Sequence, residues 1–492
     1  MGFANRFSRH SMPAHNGILT DSEMMITIEK TLLLALTSGF SPGVVWRRLL
    51  DDAAPEAGVE KRNSLLLEGR EVSHMRQIAA QRIEPVASHL ASLGELANGW
   101  MDKGPWSVTS KVDVPDGFDP HDYLSLAKYW WPNADAPDGL PYVRRDGEVN
   151  PDCYLLKYDL TSFSEFSEAV FVLSLSAALN RIEEHGQRAI KLLEAWFVDP
   201  ETCQNPNFDH AQIVPGGKGV RWQSIVEARR LVYVLEAVAL LRADFAFSRT
   251  LESGLQDWFR RFVDWLEKSE NGVRACSAVN NIGLWYDLLR VSCFWFLDEK
   301  IRVEEILVES SLRIGRQVAS DGEQQEETKR AKPYEYLVFS LTAMAGLAAA
   351  GERVGVPIWE SLVSEGQSCA AALDWLRSLP EGFALNFGMA DIGAASTSLD
   401  GDGILLLGLM DRVNEARRKR IESLQDENQK LSLLLENGRL KSEKEDARLL
   451  AQSEKAEVRA LEATAALKEV RKHEAESHRV RLEAEQRAGI AE

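Results

Sequence analysis

The sequence predicts an all-α protein, and three observations carry that expectation. Apolar residues recur at three- and four-residue spacings through most of the middle of the chain. No run alternates at period two over a strand's length, and no hairpin dipeptide sits between strand-like runs. From residue 411 the composition shifts to Ala, Glu, Lys, Arg and Leu in a heptad pattern. At 492 residues, 45% hydrophobic and 27% charged, the chain can bury a large core and hold more than one unit. It divides into an N-terminal extension (1–75), a helical body (76–400) and a tail (411–492).

The extension holds one short amphipathic segment and several Gly, Pro and Ala breaks. In the body, "SFSEFSEAVFVLSLSAALNRIEEHG" (Ser162 to Gly186), "RLVYVLEAVALLRADFA" (Arg230 to Ala246), "LQDWFRRFVDWLEKS" (Leu255 to Ser269) and "EYLVFSLTAMAGLAAAG" (Glu335 to Gly351) read as amphipathic or buried helices. Helix pairs separated by loops fit an α/α bundle, a toroid or a helical repeat, and periodicity does not choose among them. In the tail, Ile421, Leu424, Asn428, Leu431 and Leu435 alternate four and three apart, a coiled-coil seam with one polar core position. Such an Asn fixes register, so the tail is expected to pair as a parallel homodimer.

Charge is uneven. Asp411 to Glu492 carries 18 basic and 18 acidic residues, so the whole net charge of -18 falls on the rest of the chain. An acidic body repels nucleic acid, and the run Arg417 to Arg420 reads as a solvated helix face. No window approaches the roughly 18 consecutive apolar residues of a membrane span, and the start lacks the marks of a signal peptide. Cys153, Cys203, Cys276, Cys293 and Cys369 show no paired spacing, as expected of reduced thiols, and a cytoplasmic location is the expectation. No metal-ligand spacing is visible, so neither a metal nor another cofactor is expected.

The stretch Lys128 to Asp152, "KYWWPNADAPDGLPYVRRDGEVNPD", has no helical period, but its turn chemistry and aromatics mark a long ordered loop. Other polar clusters follow in "NPNFDHAQIVPGGKGVRWQ" (Asn205 to Gln223), "VNNIGLWYD" (Val279 to Asp287) and "DGEQQEETKRAKPYEY" (Asp321 to Tyr336). Each has a plain structural reading beside a functional one. Asn280 and Asn281 suit a helix N-cap, Trp130 and Trp131 suit core anchors, and a lone His210 suits a structural hydrogen bond.

In this order the series "GPWSVTSK", "HDYLSLAKYWWPNADAPDGLPYVRRDGEVNPD", "NPNFDHAQ", "NNIGLWYD" and "DGEQQEETKRAKPYEYLVFSL" resembles the alginate lyase family, the helical polyuronate lyases, over about residues 80–380. The resemblance implies an incomplete (α/α) toroid whose long loops line a cleft for an anionic polysaccharide or oligosaccharide. It also implies β-elimination, in which the substrate carboxylate is neutralised while a base takes the neighbouring proton and an acid protonates the leaving glycosidic oxygen. Matched by motif, Asn281 and Arg330 would neutralise the carboxylate, and Tyr336 would be the acid/base phenol. Trp130, Trp131, Arg144, Arg145, Asn205, His210, Gln212, Asn280 and Trp285 would line the substrate site.

One departure stands out: where the family pattern carries histidine after the second Asn, this chain has Ile282. Isoleucine neither neutralises a carboxylate nor moves a proton. Two functions follow: a polysaccharide lyase relying on Tyr336 for both transfers, or a noncatalytic carbohydrate-binding or scaffold protein dimerised by its coiled coil. Outside the extracellular setting that the family implies, the substrate would be a short oligomer.

Overall fold

The computed structural model describes residues 64–379 apart from 67–68, 82–85, 113, 115–116, 218–220 and 360–366. The expected coiled coil and most of the N-terminal extension lie outside the described residues. In chain order the helices are α1 (Gly69–Ala80), α2 (Val86–Asn98), α3 (Leu160–Asn180), α4 (Glu183–Phe197), α5 (Ile225–Ala228), α6 (Leu231–Asp244), α7 (Arg249–Lys268), α8 (Glu270–Cys276), α9 (Asn281–Phe296), α10 (Lys300–Gln317), α11 (Gln325–Thr328), α12 (Pro333–Val354) and α13 (Cys369–Ser378). The short strands are β1 (Leu124–Leu126), β2 (Trp130–Trp131), β3 (Val143–Arg144) and β4 (His210–Ile213).

The long helices alternate between an inner and an outer layer. Helices α3, α6, α9 and α12 pack in succession as the inner row, while α4, α7 and α10 lie outside them. This is the incomplete α/α toroid that the motif series implied. Sequence explains the division. Every residue of α3 from Phe166 to Leu179 is buried, as an inner helix covered all round requires. Outer α7 instead buries only Leu251, Leu255, Trp258, Phe259, Phe262, Val263 and Leu266, one apolar stripe at three- and four-residue steps, and exposes the rest to varying degrees.

Two helices, Leu160–Asn180 and Pro333–Val354, are long and apolar enough to cross a membrane by length and composition alone, but their apolar windows are 89% and 72% buried inside the protein. They are core helices.

The strands lie in the loops that precede the helices. β1 and β4 pair in parallel with a bulge, and β2 and β3 form an antiparallel pair in the Lys128 to Asp152 loop. These ladders were invisible to a period-two search because each spans only two to four residues. A buried ion pair fastens this loop region to α3: Lys111 Nζ lies 3.0 Å from Asp159 Oδ2, which also accepts the Leu124 N–H at 2.8 Å. Burial pushes the Asp159 carboxyl up to about 7 despite the lysine beside it.

Candidate active site

Loops at the ends of the inner helices bring the sequence clusters together. At the start of α9, Asn280 has extended backbone and its side chain accepts the Ile282 N–H at 3.2 Å. Asn280 therefore caps the helix, the structural reading of that residue. From the outer layer, Arg313 donates to the Ala278 carbonyl at 3.0 Å while its Nε pairs with buried Asp287 at 2.6 Å, and Gln317 reaches the Asn280 carbonyl at 3.3 Å. The asparagine pair is thus held from beneath by α10.

Asn281 is 2% exposed, and one carboxylate grips it twice. Its backbone N–H donates to Glu327 Oε1 at 2.6 Å and its Nδ2 to Glu327 Oε2 at 2.7 Å. Burial pushes the Glu327 carboxyl above its ordinary range, against the pull of the two Asn281 donors and nearby Arg330. Glu327 sits in α11, and its carbonyl accepts the Arg330 N–H at 3.1 Å.

Pro333 opens α12, where its fixed φ and missing N–H cost nothing, and this places Tyr336 at the end of the first turn. Arg330 Nη2 donates to the Tyr336 hydroxyl at 2.6 Å, and the guanidinium carbon lies 3.6 Å from the ring centre. The phenol in turn donates to the Tyr129 hydroxyl at 3.1 Å. Burial raises the Tyr336 phenol above its ordinary value and the phenol of Tyr129 adds to the shift, while Arg330 works in the opposite direction. The free site therefore holds a neutral phenol.

Asp146 covers the other side of Arg330, accepting from Nε at 3.1 Å and Nη2 at 2.8 Å. It also accepts from Arg144 Nη2 at 2.7 Å and the Ala331 N–H at 3.2 Å. The Arg330 hydrogen bond, chiefly, holds Asp146 down at about 2 against its burial. Gly147 makes this turn possible: its φ is +79°, and a Cβ there would come 3.1 Å from Ala331 Cβ.

The tryptophans of β2 line the same loop, half-buried. Trp131 donates to the Glu148 carbonyl at 3.0 Å and carries the Arg145 guanidinium over its ring at 5.1 Å. Trp130 carries Arg221 at 5.5 Å, and Arg221 Nε also donates to the Gln212 carbonyl at 3.0 Å. Gln212 occupies the β1–β4 bulge with φ +55°, a left-handed conformation rare for a residue with a side chain. Its N–H is held by Ser125 Oγ at 2.8 Å. Gly216 lets this loop approach the β2–β3 loop, since a Cβ there would meet Pro141 Cα at 2.9 Å.

At the opposite end of β4, Asp122 collects His210 Nε2 at 3.4 Å, Asn205 Nδ2 at 2.9 Å and Asn207 Nδ2 at 3.2 Å. These contacts, His210 first, hold Asp122 down at about 2, and Asp122 in turn raises His210. Trp196 and Trp258 anchor that loop to the core by donating to Gln204 at 2.9 and 2.6 Å.

Trp285 has a different place. It is 1% exposed, stacks at 5.1 Å on Phe339 and donates to its carbonyl at 3.1 Å, so it belongs to the core and not to a substrate surface. The helical repeat of α9 turns its side chain toward α12. Ile282 is likewise buried, at 7% exposure.

Sequence reasoning missed Glu327, Tyr129, Asp146, Arg221 and Asp122. Each lies inside a cluster already quoted, so proximity in the motifs was the available signal; nothing in the spacing told which carboxylate or phenol would face Arg330. Among the described residues no group of His, Cys, Asp and Glu could hold a metal ion.

The family model for alginate lyase matches residues 107–379, just over half of the 492 residues. The chain belongs to the alginate lyase family. A solved alginate lyase from Bacteroides ovatus is 25% identical with a TM-score of 0.64, over 74% of this chain and 93% of that one. Alginate lyase A1-III from Sphingomonas species A1 aligns at 12% identity with a TM-score of 0.42, and an A1-III structure complexed with a tetrasaccharide at 12% and 0.43. Each of these two covers 66% of this chain and 79% of the other. No curated protein sequence matches. In this alginate lyase family member Arg330 and Tyr336 meet in one hydrogen bond, and Asn281 is held by Glu327 three residues before Arg330.

Proposed function

We propose that this chain cleaves a uronate-containing oligo- or polysaccharide by β-elimination. The observation that carries this reading is the Arg330–Tyr336 pair, with guanidinium Nη2 2.6 Å from the phenol oxygen. Arg330 and the Asn281 amide neutralise the C6 carboxylate, which makes the C5 proton removable. Tyr336, neutral in the free site, gives its hydroxyl proton to the glycosidic oxygen as the C4–O bond breaks and takes the C5 proton in exchange as the C4=C5 double bond forms. One group serves both transfers when proton and leaving oxygen lie on one face of the sugar. Arg330 and Tyr129, both hydrogen-bonded to the phenol, stabilise the charge that passes through it. Trp130 and Trp131 offer faces for pyranose rings, with Arg145 and Arg221 supplying local positive charge on an otherwise acidic body.

The test is ultraviolet detection of unsaturated product from alginate, polyglucuronate and pectate oligomers. Product that disappears in Tyr336→Phe supports the reading. A folded protein that yields none on any oligomer overturns it.

A second reading draws on the motif resemblance, which implies histidine at the position of buried Ile282, and on one observation, that Asp146 already occupies Arg330. On that reading the cleft binds uronates without cutting them, and calorimetry with the same oligomers separates it from the first. For the tail we propose a parallel homodimer through Ile421, Leu424, Asn428, Leu431 and Leu435. Sedimentation of the chain with and without residues 411–492 tests it: a truncated chain that still dimerises removes the tail's role.

A further inference from the structure

Asn281 is the only side chain with hydrogen-bonding groups in the first turn of α9 beyond its cap, because Ile282 and Gly283 follow it. Nothing else on that turn orients its amide. The Asn280 side chain accepts the Ile282 N–H and so serves the helix end, whereas Glu327 takes both the Asn281 N–H and Nδ2. A carboxylate only accepts, so the fork assigns the amide face: Nδ2 lies toward Glu327, and the second amide hydrogen and Oδ1 are fixed by planarity. Both residues are 2% exposed, so solvent does not compete for these bonds. Three residues later in the same turn, the Glu327 carbonyl receives the Arg330 N–H. A single residue therefore joins the amide on the inner helix to the guanidinium on the loop.

We propose that Glu327 is the positioning residue of this site: by gripping Asn281 twice and closing the turn to Arg330, it presents amide and guanidinium to one uronate carboxylate as a unit. The proposal rests on the reading above that these two groups neutralise the carboxylate. With isoleucine in place of imidazole, α9 supplies only one polar contact to the substrate, and the precision of that contact comes from Glu327.

A double-mutant cycle on the full chain tests it, with Glu327→Gln, Glu327→Asp, Asn281→Ala and the doubles assayed for unsaturated product from alginate oligomers. The expected result for E327Q is a fall in kcat of about 10- to 100-fold with KM moved by less than about threefold, because orientation matters most where charge develops. E327D is expected to recover part of the rate. In the Asn281→Ala background, Glu327→Gln is expected to cost no more than about twofold, since its effect runs through the amide. Effects that multiply in the double mutant, or an E327Q enzyme indistinguishable from wild type, overturn the proposal. Should thermal melting show E327Q unfolded, E327D carries the same cycle. If wild type binds an alginate oligomer without cutting it, the lyase reading fails, and the cycle measured on dissociation constants still decides on Glu327: non-additivity supports it and additivity overturns it. Wild type that neither cuts nor binds overturns both.

Discussion

Tyr336 touches Arg330 on one side and Tyr129 on the other, so removing its hydroxyl deletes the proton carrier and leaves the ring in place. Tyr336→Phe is expected to lower the elimination rate by about 100- to 10,000-fold without a change in melting temperature, as measured by product absorbance and calorimetry. Asp146 is a competing anion on Arg330, whose hydrogen bond holds the carboxyl well below the usual carboxylate range. Asp146→Asn is expected to tighten oligouronate binding by about 2- to 5-fold, the worth of one partly exposed charge pair, and weaker binding in calorimetry would instead make Asp146 a support for the guanidinium. The Asp122–His210 pair has a pH signature whose sign follows from its two shifts. Asp122 is lowered to about 2, so its contribution to stability is present above the ordinary carboxylate range and lost as pH falls from about 4 toward 2. His210 is raised above 6.5, so its contribution is complete below 6.5 and lost as pH rises through the folded-state value. The stability difference between wild type and His210→Gln, by denaturant unfolding, is expected to be larger at about pH 5 than at about pH 9.

At the scale of elements, the candidate active site depends on helix ends and one bulge. Asn280 caps α9, and Asn280→Ala is expected to cost about 1 kcal/mol of stability, readable as a shifted denaturation midpoint with unchanged slope. Gln212 holds a left-handed backbone at the bulge, a conformation that costs a residue with a side chain roughly 1–2 kcal/mol. Gln212→Gly is expected to raise the melting temperature slightly; a lowered melting temperature would mean that the side chain contributes more than its backbone strain costs. The helices were legible because each long one repeats its apolar pattern over several turns, as in Phe166 to Leu179 and in the stripe of α7. The β1–β4 and β2–β3 ladders were not, since two to four residues give no measurable period and their pairing depends on the loops that carry them.

For the whole molecule, charge opposes function at a distance and aids it at contact. The net charge of -18 repels a polyuronate over the long Debye length of dilute buffer, whereas Arg145 and Arg221 on the tryptophan faces act at a few ångströms. The association rate of an alginate oligomer is therefore expected to rise between about 10 and 150 mM salt, in stopped-flow measurement, and a steady fall over that range would assign control to the local arginines. The sequence by itself determined the helical class, through repeated three- and four-residue spacing, and the family, through its ordered loop motifs. Only the tertiary structure decided which groups meet across the site. Glu327, Asp146 and Tyr129 lie 46, 184 and 207 residues from Asn281, Arg330 and Tyr336 respectively. Such contacts are fixed by how inner helices pack and how loops close over their ends, and local periodicity holds no record of them.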